Sequence, residues 1–201
     1  DLSLETKVLK YINNIARVNN IAPPRVVSKI KKSSSFVGVN ISKLKSIKVK
    51  NFKINPDTSQ DPKTFSQFIL NIPAGMAFGT GSHETTRGCL LSMQYFKWFN
   101  IKRALDLGCG SGILALAAAR LWSCKVIAAD NDPVAIDVAE MNISQNDKLG
   151  LVRAVLSAGC KHFTIRDKKF DLVTANIFSG ELISMSREIS RVVSSRGLVI
   201  L

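Results

Sequence analysis

The sequence predicts an α/β fold built on a doubly wound parallel sheet. Three observations carry that reading. From Arg103 onward, short apolar runs near 103–107, 125–130, 151–157, 170–177 and 197–201 alternate with helix-like segments. Most of these runs are apolar throughout rather than at every second position, as in strands buried on both faces. The first run passes straight into Gly108-Cys109-Gly110-Ser111-Gly112 and then a helix, a tight turn that lets a ligand approach the backbone.

The bulk numbers narrow the class. A chain of 201 residues with 46% hydrophobic residues holds one domain with a proper core, or one domain plus a fragment. No stretch reaches the roughly 18 apolar residues that span a bilayer, so no membrane association is expected. Cys89, Cys109, Cys124 and Cys160 form no C-x-x-C pair, and His83 and His162 are the only histidines, so no metal site is expected. Cysteines set in apolar segments fit buried thiols in a reducing compartment. The net charge is +13, and residues 1–60 hold twelve Lys and Arg against three acids. The nine basic residues from Arg25 to Lys53 are interrupted by no acid. That stretch either steers an acidic partner such as RNA or is a solvated lysine-rich face.

The elements follow in order. Leu4, Val8, Leu9, Ile12 and Ile15 recur at helical spacing, and Pro23-Pro24 ends that pattern. A strand is expected over 25–30. Ile47, Val49, Phe52 and Ile54 read as one strand, and 65–72 as another that pairs with it in a hairpin. A helix is expected over 84–99. The strand–helix repeat from Arg103 then completes the chain.

Glycines at 108, 110 and 112 have a spacing that discriminates between ligands. A dinucleotide fingerprint needs glycine three residues after the second one, where this chain has Ile113. Asp130 ends the next strand, 22 residues after Gly108, where a carboxylate can accept from both hydroxyls of a ribose. Taken alone, a Gly turn can be purely structural and Asp130 merely solvated. Asp132 before Pro133 reads as a helix cap. Upstream, the run 71–86 has three glycines, several hydroxyl residues and His83 before a helix that Thr85 or Thr86 is expected to cap. It is a ligand-gripping loop or a flexible connection. His83 has the chemistry of a proton acceptor, though a single histidine in a Gly-rich loop is more often structural.

The G-x-G-x-G form, with Asp106 two residues ahead, resembles the S-adenosylmethionine (AdoMet) site of Rossmann-like class I methyltransferases. The run Ala74-Gly75-Met76-Ala77-Phe78-Gly79-Thr80-Gly81-Ser82-His83-Glu84-Thr85-Thr86 resembles the hallmark loop of the PrmA family, which methylates ribosomal protein L11. Leu105 to Leu114 is similar to that family's cofactor motif, and Asp171-Leu172-Val173-Thr174-Ala175-Asn176-Ile177 to its D-V-V-x-A-N-I motif. The resemblance is strong from Gly75 on and faint over 20–74. It implies that Thr86, Gly108, Asp130 and Asn176 contact AdoMet, beside Gly110 and Gly112 of the turn, and that Asn176 is the catalytic residue near the target amine. It implies a cytoplasmic enzyme whose partner is a ribosomal protein, with indirect contact to ribosomal RNA compatible with the charge.

The same resemblance implies that residues 1–35 are the end of a small α+β substrate-recognition domain and its linker. Residues 36–201 would then be the methyltransferase domain, cut off after its fifth strand and left with an open edge. Weak turnover is expected of a chain so shortened. Glu181 stands where the family has proline, and the first third lacks the tryptophans often found there. Two other readings remain at this point: a class I methyltransferase acting on RNA or a small molecule, and a non-catalytic ribonucleoprotein-binding module.

Overall fold

The computed structural model describes residues 22, 46–56, 68–73 and 83–201. Apart from Ala22, all of these lie in a compact unit spanning Ile41–Leu201. The expected helix and strand before residue 31, the domain assigned to 1–35, the glycine run over 74–82 and Phe78 lie outside the described residues.

The described chain forms a five-stranded parallel sheet and a smaller three-stranded one. The large sheet uses β4 (Arg103–Leu107), β5 (Lys125–Asp130), β6 (Val152–Leu156), β7 (Phe170–Thr174) and β8 (Val193–Ile200). Its order is β6-β5-β4-β7-β8. The chain therefore winds outward from β4 through β5 to β6, then returns to the other side of β4. That reversal creates a crevice at the carboxyl ends of β4 and its neighbours, where open α/β sheets bind ligands. β8 pairs only with β7 among the described strands, and an apolar groove of about 890 Å³ lies between it and the last helix.

Strand residues feed two cores. Ala104, Val126, Ala128 and Leu172 pack on one face with α1 (Glu84–Tyr95), α2 (Ile113–Trp122), α3 (Pro133–Asn146) and the small sheet. Leu105, Leu107, Ala129 and Val173 pack on the other with α4 (Phe163–Arg166) and α5 (Ser179–Val192). Residues 113–119 of α2 are all buried, and four of those seven are alanine. Small side chains let that helix be covered on every side. Asp132 caps α3 as expected, its Oδ1 accepting from Val134 N–H at 2.9 Å, with Pro133 in the first helical position.

The region before the large sheet departs from expectation. The expected single strand is two, β1 (Ile47–Val49) and β2 (Phe52–Asn55), paired antiparallel through a turn at Lys50, whose φ is +52°. The apolar spacing explains the break. From Val49 to Phe52 is three residues, so one continuous strand would place Phe52 and Ile54 on the face opposite Val49. The hairpin thus lies within 47–55. β3 (Phe68–Asn71) instead pairs parallel to β2. Helix α1 also stops at Tyr95 rather than Phe99, and Phe96 and Phe99 then stack edge to face with centroids 5.6 Å apart.

Buried amides fasten the small sheet to the helices. Gln94 accepts from Asn51 N–H at 2.8 Å and donates to the Val49 carbonyl at 3.1 Å. Asn146 accepts from Asn71 N–H at 2.7 Å and donates to the Asn71 carbonyl at 2.8 Å, as a neighbouring strand would. Asn146→Ala strands both groups of Asn71. The expected loss is about 1–3 kcal/mol, read as a lower urea midpoint with unchanged slope.

Candidate active site

The turn from β4 into α2 runs through three left-handed residues, Gly108 (φ +65°), Gly110 (+52°) and Gly112 (+76°). A Cβ on Gly108 would collide with Cγ2 of Ile177, so this position is closed to other residues by space as well as by φ. At Gly112 the requirement is the left-handed φ, since a Cβ would only come into contact with that of Ala139 on α3 at 3.4 Å. Gly112 begins α2 and lies outside the cavity lining; Gly108 and Gly110 are in it.

Asp130 fixes the turn from the next strand. Its Oδ2 accepts from Gly110 N–H at 2.9 Å, and its Oδ1 from Asp132 N–H at 3.1 Å. A carboxylate offers about four acceptor positions, so two remain for a ligand with paired hydroxyls. The side chain is half-buried and faces a cavity of about 740 Å³ at the crevice. Leu107, Ala129 and Ile177 supply apolar lining and His83, Thr85 and Asn176 polar groups. Asp132, Ser157, Lys161, Glu181 and Glu188 line it too, so polar groups converge on an apolar wall, as in a small-molecule site.

Asn176 follows β7 and donates from Nδ2 to Thr86 Oγ1 at 3.1 Å. Its other amide atom, Oδ1, is an uncharged acceptor. Thr86 is fully buried and is not part of the cavity wall. Its hydroxyl meets the amide of Asn176 at the cavity's edge, and Thr85 lines the cavity itself. The cap of α1 differs from expectation. His83, not a threonine, caps the helix, with Nδ1 accepting from Thr85 N–H at 3.3 Å. The helix begins at Glu84, so the cap falls at position 83 and both threonines lie inside the first turn.

Two features were not singled out from sequence. One is the loop after β6, where Glu188 of α5 accepts from Cys160 N–H at 2.9 Å and lines the cavity with Ser157 and Lys161. Only its place after the third strand of the large sheet marked it. The other is the role of Asp106, which the sequence marked by its place two residues before the turn but not by its burial or partners within β4. It accepts from Thr174 O–H at 2.7 Å and from Ala115 N–H at 3.1 Å. Burial pushes its carboxyl up to about 7, against the pull of those two hydrogen bonds. An acid inside an otherwise apolar strand was its sequence signal. Burial also raises the thiol of Cys109, in the turn itself. Among the described residues, no group of His, Cys, Asp or Glu could hold a metal ion, and no helix is long and apolar enough to cross a membrane.

Strand order, glycine turn and the acid at the end of the second strand of the large sheet together define the class I methyltransferase fold. The family model "Ribosomal protein L11 methyltransferase (PrmA)" matches residues 5–201, and the chain belongs to that family. It is 32% identical over 193 residues to a ribosomal protein L11 methyltransferase of Mesorhizobium japonicum, covering 92% of this chain and 67% of that protein. It is 37% identical over 158 residues to one of Caldicellulosiruptor saccharolyticus, covering 78% and 50%. The chain thus spans one half to two thirds of the length of these relatives. Among solved structures, the ribosomal protein L11 methylase of Lactobacillus delbrueckii subsp. bulgaricus superposes with a TM-score of 0.67 at 27% identity, covering 77% of each chain.

Asp106 sets a pH signature. Its folded value near 7 exceeds the ordinary 3.8, so the folded state holds the proton more tightly. Stability should therefore be greatest at acid pH in this respect, fall as pH rises from about 4 to about 7, and level off above. The contribution reaches up to about 4 kcal/mol. Asp106→Asn should remove this slope in denaturation midpoints measured across that range; an unchanged slope would show that Asp106 titrates normally.

Proposed function

We propose that this chain is the catalytic part of an AdoMet-dependent protein N-methyltransferase. Its substrates are the lysine ε-amines, the α-amine, or both, of the large-subunit ribosomal protein L11. The observation that carries this reading is Asn176, an uncharged acceptor pinned by Thr86 in the same cavity as Asp130 and the glycine turn. Family membership supplies the substrate class. A ribosomal protein substrate also implies a cytoplasmic location.

The residues present fit the cofactor. Asp130 keeps acceptor capacity for ribose hydroxyls, and the collision a Cβ would make at Gly108 shows a backbone with no room for a side chain beside the cavity. Bound there, AdoMet supplies an activated methyl group on a sulfonium centre. The protein's task is then to hold an amine in line with that group, and orientation supplies most of the rate gain.

The amine must first be neutral. An α-amine is about 10–20% neutral at pH 7, whereas a lysine is neutral in roughly one part in 2,500. Asn176 accepts an amine N–H and aims the lone pair without a charge that would favour the ammonium form. A carboxylate in its place would raise the amine's pKa and oppose the reaction. Desolvation against Leu107 and Ile177 works in the opposite, useful direction.

Calorimetric titration with AdoMet should show binding that Asp130→Ala weakens by at least tenfold. Asn176→Ala should leave that affinity within a few-fold while methyl transfer to ribosomal protein L11 falls by about a hundredfold. A folded chain that binds no AdoMet, or an Asn176→Ala variant that transfers at the full rate, would overturn the proposal.

A further inference from the structure

The end of the large sheet opposite the cavity carries a feature that methyl transfer does not use. Helix α1 ends at Tyr95, and the segment that follows leads into β4. Tyr95 and Trp98 are 69% and 77% exposed, the latter the largest side chain type and among the most exposed hydrophobics. Isolated exposed apolar residues need no explanation. Here, however, the two aromatics are interleaved with cations. Lys97 Nζ lies 4.7 Å from the Trp98 ring centroid. Lys102 and Arg103 follow on the same segment, and both are exposed.

Lys125 joins them from the next strand. It is the register partner of Arg103 and donates its backbone N–H to the Lys102 carbonyl at 3.2 Å. Neighbouring strands lie about 5 Å apart, so like charges start both β4 and β5 side by side. Neither ion pair among the described residues involves any of these four cations. The acid next to them is Asp171, and it does not neutralise their side chains. Its Oδ2 accepts from the backbone N–H groups of Lys102 and Arg103, and its Oδ1 from Ser194 O–H.

Exposed aromatic faces set among unpaired cations are the components of a single-stranded nucleic-acid platform: rings stack bases, and cations track phosphates. We infer that Tyr95, Lys97, Trp98, Lys102, Arg103 and Lys125 form a docking surface for unpaired nucleotides of an RNA. A duplex would meet the cations but leave the rings without a base to stack on. The inference does not depend on methyl transfer, because the surface lies at the opposite end of the strands from Asp130 and Asn176.

The test is fluorescence anisotropy of a labelled twelve-nucleotide oligoadenylate titrated with the full chain. The wild type should bind with a log K against log salt slope near −3, from four cations at about 0.7 each. Tyr95→Ala/Trp98→Ala should weaken binding at least about fivefold. Lys102→Gln/Lys125→Gln should reduce the slope by about 1.4. In a Trp122→Phe background, emission then comes from Trp98 alone and should be quenched by the oligonucleotide. Unchanged thermal melting would show that the variants remain folded. Affinity insensitive to loss of both rings, absence of quenching, or a duplex bound as tightly as the single strand would overturn the inference. So would a dimer that Trp98→Ala dissociates, since the patch would then face a second copy of the chain.

Discussion

The left-handed turn between β4 and α2 is the constraint on which the rest of this molecule depends. Three strands and a helix meet there, and two aspartates hold them. Asp130 reaches from β5 to the N–H of Gly110. Asp106 reaches from β4 to the N–H of Ala115, one of the donors a helix start leaves unpaired, and to the hydroxyl of Thr174 on β7. Negative charge is favourable at that helix end, but Asp106 is buried, and its desolvation outweighs the gain. The two acids therefore serve different ends. The half-buried one keeps acceptor capacity for a ligand, while the buried one ties the elements that shape the site.

A second set of bonds makes the turn sensitive to distant parts of the fold. Asn142 donates to the Ser111 carbonyl at 2.8 Å, and Asn146 donates to the Asn142 carbonyl at 2.7 Å. Asn146 in turn clasps Asn71 of the small sheet. The glycine turn is thereby joined through one face of α3 to β3. The spacing of Asn142 and Asn146 places both on that face. Buried networks of this kind are costly when one member is lost, because the remaining groups have no water to replace it. The small sheet is thus part of what holds the turn, although it contributes no residue to the cavity.

Much of this was legible in the sequence, for physical reasons. The inner strands of the large sheet announce themselves because burial on both faces demands largely apolar runs, whereas β8 is half-exposed and its polar first half, 193–196, was not expected as strand. The glycine turn is legible because left-handed backbone and close approach leave few alternatives. Asp132 before Pro133 is legible because capping is a local interaction. What could not be read depends on partners far along the chain. Thr86 is separated from Asn176 by 90 residues, so nothing local shows that its hydroxyl accepts from that amide. The division of β1 from β2 was local and readable, since the step from Val49 to Phe52 breaks the period of two. The parallel pairing of β3 was not, because it needs a crossover that sequence alone does not trace.

Charge is distributed along the strand direction, and this follows from the parallel sheet. Every strand starts at one end and finishes at the other, so residues at equivalent strand positions gather. Lys102, Arg103 and Lys125 occupy starts. Asp130, Asp132, Glu181 and Glu188 line the cavity at the finishes, against Lys161 as the lysine there. In a chain with 28 basic residues against 15 acids, that local reversal of sign is large. Helices on such a sheet run back against the strands, so their positive ends also point to the cavity, and the acids there offset them. Among the described residues, the charged side chains at the cavity are thus mostly acidic, and those at the starts of β4 and β5 are basic. On the proposed reading, Asn176 is the neutral acceptor in this lining, and it would take an amine N–H without adding a further negative charge that favours the ammonium form.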